Sequence, residues 1–512
     1  YICIDIAYHY SKWCQKFNYW SSRGIPGPKP IPYFGNTLSP FLKPRPFVEM
    51  EWYNTYGRLY GKYNCGQPVP MVADPALVRQ ILVKDFNKFR NRDFKKVSQI
   101  MSSNLFSTRD GHWKRIRAIA SPTFTSAKLK HMYPLINSCC GDFLAALERD
   151  VSAGKSAVEL KRLMCAYTMD VIASCAFSIK TNSYSDPNNP FTTKANRILN
   201  MFGSSAANLL NTLLPAFLFN NRLTKCLVTI GLTNIVFFIG LSQRLISERK
   251  KSGKKHNDIL QYFMDVKRED SIPSTTTGAD SDQLMAEKQA LSGVVERRLT
   301  DDEVVAQSVM FFLAGVEGTA ITLSYLVYEL ALNPDIQDLL VAETAPAFND
   351  STGDIDYESL LRLPLVDAVV SETLRKYTPA LSLVREAMED VVLTNDTDGS
   401  KFKIEKGMNV EIPVYAIHHD PDNYPDPECF KPERFLPENR HNLKPYTYLP
   451  FGVGPRNCIG MRFALLEIKL AMVKLVRQFR FYRLPNTDVP AVFTRGRIYL
   501  LCHMEIAFLQ IQ

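Results

Sequence analysis

The segment Phe451-Gly452-Val453-Gly454-Pro455-Arg456-Asn457-Cys458-Ile459-Gly460 constrains this chain more than any other stretch. It follows the spacing F-x-x-G-x-R-x-C-x-G and runs straight into Met461-Arg462-Phe463-Ala464-Leu465-Leu466-Glu467, which reads as the start of a helix. Gly454 and Gly460 permit tight turning and remove side-chain bulk where a flat cofactor approaches. A cysteine just ahead of a helix meets the positive end of the helix dipole, which favours thiolate over thiol. A thiolate is a strong electron donor to haem iron, and Arg456 carries the donors to pair with a propionate on the cofactor's rim. The competing reading is a buried structural cysteine before a helix; five matched positions argue against it.

A chain of 512 residues, 46% of them hydrophobic, can bury a large core, and length alone suggests two or three domains. The net charge of +9 is modest, and no long basic stripe is interleaved with aromatic residues, which argues against nucleic acid. A basic face that attracts an acidic electron donor or anionic lipid is the simpler use. The 11 cysteines are odd in number, scattered and without C-x-x-C spacing, a pattern that fits a reducing, cytosol-facing compartment. His418-His419 reads as turn and packing chemistry rather than a ligand pair. Residues Tyr1 to Trp20 mix polar and apolar types, unlike the roughly 20 apolar residues of a spanning helix, and no secretory signal is visible.

Short alternating runs near Leu59–Asn64, Val69–Ala73, Asp390–Leu393, Lys403–Ile404 and Asn409–Pro413 predict strands, and most of the remainder carries helical periodicity. From about Ile198 to Leu241 the chain is apolar and free of carboxylates, including Leu213–Phe219 and Ile235–Leu241. It reads either as core helix or as an apolar lid that dips into a membrane face. Ser271 to Ser281 is polar, low in complexity and predicts a surface loop.

Thr300-Asp301-Asp302-Glu303 is a capping box, opening a long helix that runs to Asn333-Pro334. At its middle stands Phe311-Phe312-Leu313-Ala314-Gly315-Val316-Glu317-Gly318-Thr319. Ala314 and Gly315 are small enough for close passage over a cofactor face, and Glu317 is costly to bury without a purpose. A kinked helix whose Glu317 reaches solvent is the alternative. Glu372-Thr373-Leu374-Arg375 sets acid and arginine on one helix face. Trp113 and Arg117, in W-x-x-x-R, offer an indole N–H and a guanidinium to propionates, or simply pack at a surface.

The order of these signals, with Pro432-Glu433-Arg434-Phe435 between E-x-x-R and the Cys458 loop, resembles the cytochromes P450 from Ile25 onward. The resemblance implies one mainly helical catalytic domain with a small β-rich region over residues 25–512, haem lying between the long central helix and the helix after Cys458. Residues 1–24 become a residual segment beside a missing membrane anchor, and Ile25-Pro26-Gly27-Pro28-Lys29-Pro30-Ile31-Pro32 a Pro/Gly hinge. Haem b is implied as cofactor, with Cys458 as the metal ligand and Trp113, Arg117, Ala314, Gly315, Arg385, Phe451, Arg456 and Gly460 around it. Glu372, Arg375 and Arg434 are implied as a buried charge network, and Ala380 and Leu381 as facing substrate.

The family places Thr directly after the acid for proton delivery; Gly318 stands there instead. Thr319 is rotated by about 100° around the helix, and Thr322 lies one turn further on. With Glu317 these two are the candidate catalytic residues. Arg456–Leu465 and Ser121–Ser126 resemble family-three drug-oxidising members. Arg385-Glu386-Ala387, His418-His419-Asp420-Pro421, Tyr446–Pro450 and the polar insertion before Thr300 resemble thromboxane-A synthase, which also departs from Thr at the position of Gly318. The implied activity is insertion of one oxygen atom from O2 into a lipophilic substrate. Its electrons would come from NADPH through NADPH-cytochrome reductase, with cytochrome b5 as a further partner, at the endoplasmic reticulum membrane facing the cytosol. The alternative is an isomerase acting on a fatty-acid endoperoxide, which needs no NADPH.

Overall fold

A computed structural model of the 512-residue chain describes residues 15–92, 100–154, 157–181, 183–184, 186, 189–203, 222–265, 281–294, 298–394, 399, 401–496 and 504–510. The elements that build the site are α1 (Asp110–Ala120), α2 (Ser126–Ser152), α3 (Leu160–Phe177), α4 (Pro190–Gly203), α5 (Arg222–Ser252), α6 (Ser281–Leu291), α7 (Asp301–Leu332), α8 (Pro364–Lys376) and α9 (Met461–Gln478). The fold is mainly α with small β-sheets, as the resemblance implied.

Helix α7 forms the spine. Thr300 accepts from the Glu303 amide, while the Glu303 carboxylate accepts from the Thr300 amide, so the capping box is complete. Asn333 caps the far end, and Pro334, which lacks an N–H, opens the next helix. The helix is long and apolar enough to cross a membrane, yet 67% of its most apolar stretch is buried, as in a core helix. Helices α3 and α9 pack against it and α2 packs against both of these, so all four share the main core.

A second apolar cluster lies beneath a four-stranded sheet, ordered Leu59–Asn64, Gln67–Val72, Asn409–Pro413, Ser382–Glu386. The first two strands form an antiparallel hairpin from Leu59↔Val72 to Asn64↔Gln67, turned by Cys65 and Gly66, both at positive φ. Asn409–Pro413 joins it in parallel and Ser382–Glu386 closes it antiparallel, with Arg385 opposite Val410. Three of the alternating runs read from the sequence match strands of this sheet, Ser382–Glu386 was not among them, and the runs at Asp390–Leu393 and Lys403–Ile404 pair with each other in a separate two-stranded sheet.

Three stretches singled out in the sequence have the following surroundings in the fold. The packed body reaches upstream of Ile25: the Trp20 indole is buried, donates to the Lys62 carbonyl at 2.9 Å and stacks on Phe402. The Pro/Gly stretch lies along the sheet, its Pro26 carbonyl accepting from the Gly61 amide at 2.9 Å. In the apolar region, Ile235 and Phe238 belong to the core against Phe191 and Phe312, and Val236 faces outward. Leu213–Phe219 and most of the polar stretch Ser271–Ser281 lie outside the described residues.

Candidate functional site

The Cys458 loop is closed by its own backbone. The Cys458 amide donates to the Phe451 carbonyl at 2.8 Å and the Asn457 amide to the Gly454 carbonyl at 2.9 Å. Gly454 has φ of 75°, and a Cβ there would lie 2.0 Å from the Leu82 carbonyl oxygen. Its smallness therefore serves contact with the Leu82 backbone rather than with a cofactor. Gly460, by contrast, caps α9 with open space along its Cβ direction. Cys458 sits two residues before that cap. Burial pushes its thiol up, while the Gly460 amide and the Arg117 and Arg92 guanidinium groups favour the thiolate. Its side chain is nonetheless accessible, although the residues on either side of it are buried.

Four arginines converge on this cysteine. Arg117, on α1, donates to the Asn457 carbonyl at 2.9 Å and to the Asn457 side chain. Arg456 donates to the carbonyls of Arg90 at 2.7 Å and Thr108 at 2.8 Å, and lies 4.4 Å over the Trp113 ring. Arg385 donates to the Val384 carbonyl at 2.8 Å. Arg92 donates to the Arg456 carbonyl at 3.1 Å. Sequence reading missed Arg92 because it stands in a loop with neither periodicity nor motif. What brings it here is a bridge between Asn91 and Glu386, next to Arg385.

Among the described residues the cluster is short of anions: Glu287 lies 3.9 Å from Arg117, and no carboxylate pairs with Arg92, Arg385 or Arg456. Arg117 Nε, Arg385 Nε and one terminal nitrogen of Arg456 are buried without a hydrogen-bond partner among the described residues. Burial and the neighbouring Arg92, Arg385 and Arg117 push Arg456 down to about 7, burial and Arg117 push Arg92 to about 10, and burial and Arg92 hold Arg385 well below the usual guanidinium range. A guanidinium resists losing its proton, so such a site demands anions. The two carboxylates of a haem beside a thiolate ligand meet that demand, and the residues fit the cofactor the resemblance implies.

Along α7, Met310, Ala314 and Gly318 follow one another at four-residue spacing, Ala314 exposed and the other two half-buried, which marks one open face. A Cβ on Gly318 would meet only Pro379, at 4.0 Å. Gly315 does not share that face: a Cβ there would lie 2.9 Å from Ile172, so its smallness lets α7 close on α3. Glu317 is buried and paired with Lys161 of α3 at 3.3 Å, which replaces the solvent-reaching alternative. Neither candidate hydroxyl fills the open face. Thr319 is buried, and Thr322, buried in line with Gly318, donates to the Gly318 carbonyl at 2.9 Å.

Glu372 and Arg375 are fully buried and joined by two hydrogen bonds of 2.7 and 2.8 Å. Arg434 approaches Glu372 at 3.5 Å. Arg375 also donates to the His418 carbonyl at 3.0 Å. His418 Nε2 accepts from the Leu449 amide at 2.9 Å, so Nδ1 carries the proton and donates to the Arg375 carbonyl at 3.0 Å. The network thus ties α8 to the chain two residues ahead of Phe451.

An accessible cysteine before a helix, with buried arginines clustered beside it, and a long helix with one open face are the features expected of the haem-binding class of protein. The cytochrome P450 family model matches residues 25–505. Cytochrome P450 3A11 of Mus musculus is 36% identical over 499 residues, 96% of this chain and 92% of the relative. Cytochrome P450 3A2 of Rattus norvegicus is 37% identical over 503 residues, 97% and 93% of the two chains. Cytochrome P450 9c1 of Drosophila melanogaster is 35% identical over 497 residues, 94% and 91%. The chain belongs to the cytochrome P450 family and is a haem monooxygenase, an oxidoreductase.

Proposed function

We propose that Cys458 is the axial thiolate of haem b and that the enzyme inserts one oxygen atom from O2 into a lipophilic substrate. Bound there, the haem would supply oxygen activation at its iron. Arg117, Arg385, Arg456 and the unforeseen Arg92 would receive its propionates, with Trp113 holding Arg456 in place. Phe451 anchors the Cys458 amide, and Gly460 leaves room beside the thiolate. Ala314 and Gly318 would border the substrate side, and Glu317, held by Lys161, would pass protons inward through ordered water, with Thr319 or Thr322 as the nearest hydroxyls.

Electrons from NADPH would enter through NADPH-cytochrome reductase, with cytochrome b5 as a second donor, from the Cys458 side. The catalytic domain of residues 25–512 would face the cytosol at the endoplasmic reticulum membrane, its apolar region around α5 against lipid. The observation that carries the reading is the set of buried, anion-short arginines around one accessible cysteine. Ferrous protein under carbon monoxide should show the red-shifted Soret band of a thiolate ligand, and Cys458→Ala should lose it. A band typical of histidine ligation in the parent would end the reading.

Gly318 keeps a second reading alive, an isomerase of the thromboxane-A synthase kind. Its substrate already holds the O–O bond, and no hydroxyl is needed at the open face of α7. Purified protein given a prostaglandin endoperoxide without NADPH, or a lipophilic substrate with NADPH and reductase, separates the two.

A further inference from the structure

Helix α6 grows out of the polar insertion before Thr300, and nothing in the proposed function uses it. It packs across α1 and against the turns Gln80–Lys84 and Phe86–Lys88. Glu287, Ala290 and Leu291 are buried at helical spacing, while Met285, Lys288 and Gln289 face outward. Ala290 and Leu291 enter the main core, Ala286 packs against the sheet-side cluster, and Asp282 pairs with Arg79.

Glu287 is the exception on this apolar face. Its carboxylate is 5% exposed and lies 3.9 Å from the Arg117 guanidinium. A buried carboxylate is costly unless a cation meets it, and a buried arginine likewise; here each offsets the other, and Glu287 is the strongest influence keeping Arg117 charged against its burial. Arg117 in turn grips both the carbonyl and the side chain of Asn457, the residue before Cys458. An inserted helix thus delivers one negative charge to the rim of the cofactor cradle.

We propose that Glu287 is a positioning residue for the haem centre: through Arg117 it fixes Asn457 beside Cys458, and its charge holds the one-electron reduction potential of the iron down. The inference rests on haem bound at Cys458. Reduction of ferric to ferrous haem adds one negative charge to the site, which a nearby carboxylate opposes. At the effective dielectric of about 20 that suits a buried site, one nearby charge changes the ferrous-to-ferric ratio at fixed potential on the order of tenfold.

The test is a spectroelectrochemical titration of the full-chain holoprotein, with dithionite as reductant, after the carbon monoxide spectrum has established thiolate ligation in each protein. Glu287→Gln should raise the ferrous fraction at a given potential by on the order of tenfold, and Glu287→Asp should restore the parent value. Glu287→Met, neutral and of similar volume on an apolar face, is read in parallel in case a buried amide unsettles the fold. Lys288→Gln alters a solvent-screened charge on the same helix and should leave the potential where it was. Parent-like potentials in Glu287→Gln and Glu287→Met, or an equal shift in Lys288→Gln, would overturn the proposal. Absence of the thiolate band in the parent would instead defeat the haem assignment itself.

Discussion

Between Ala314 and Thr322 the central helix presents a glycine to its open face and turns its hydroxyl groups elsewhere. Thr322 is occupied by the Gly318 carbonyl, and Glu317 is held by Lys161. Proton delivery from Glu317 would then cross this face through water with no hydroxyl on the face itself, so a monooxygenase built this way should divert much of its NADPH consumption to hydrogen peroxide. Gly318→Thr fits, since its Cβ would meet only Pro379 at 4.0 Å. The substitution should raise product per NADPH and stiffen the helix by a few tenths of a kcal/mol, Gly being worse than Thr in a helix interior. Product and peroxide counted per NADPH check this; tight coupling in the parent would show that ordered water already suffices. An isomerase would gain nothing from the change. The departure at Gly318 was legible in the sequence, because a missing hydroxyl is a matter of residue type. The role of Gly315 was not, because nothing local says that Ile172, 143 positions upstream (315 − 172), will fill the space its missing Cβ leaves.

At the scale of elements, α8 and the Cys458 loop are joined by charge and by one neutral histidine. Removing either partner of Glu372–Arg375 strands a buried charge, at a cost of about 3–5 kcal/mol. Glu372→Ala and Arg375→Ala should therefore accumulate poorly and hold little haem; normal haem content and an unchanged melting curve would make the pair dispensable. His418 gives the junction a pH dependence. Burial, reinforced by the Arg375 charge, holds its imidazole down to about 3 against an ordinary 6.5. Above pH 6.5 it is neutral in both folded and unfolded chains. Between about 6.5 and 3 only the unfolded chain takes the proton, so stability falls as pH drops through that window, by about 5 kcal/mol in full. Urea midpoints at pH 7, 6 and 5 should decline in that order, and His418→Gln, whose side-chain oxygen can still accept from the Leu449 amide, should decline less steeply. Helix limits and strands were readable here because capping and periodicity are local; the tautomer of His418 was not, since it depends on partners 43 and 31 residues away.

For the whole molecule, the cofactor is a missing part of the electrostatics. Arg92, Arg117, Arg385 and Arg456 come from a loop, α1, a strand and the Cys458 loop, and each gives up hydration while only Arg117 has a carboxylate, that of Glu287, beside it among the described residues. Only assembly of the sheet, α1 and the segment around Asn91 makes that visible, which is why the sequence pointed to three of the four and no motif flagged Arg92. Binding free energy gained by the folded state alone appears as stability. Haem should therefore raise the melting temperature of the apoprotein strongly, and much of the gain should come from the propionates rather than the iron–sulfur bond. Haem dimethyl ester keeps the iron and loses both negative charges. It should bind more weakly and raise the melting temperature less than haem itself. Arg456→Gln lowers the demand for anions by one charge, so it should narrow the difference between the two haems, as should raised ionic strength to the extent that salt reaches the rim of the site. Calorimetric melting of parent and Arg456→Gln protein with each haem measures all four states. Equal stabilisation of the parent by haem and its ester would mean that the arginines answer to some other anion, and that the iron ligand alone holds the cofactor.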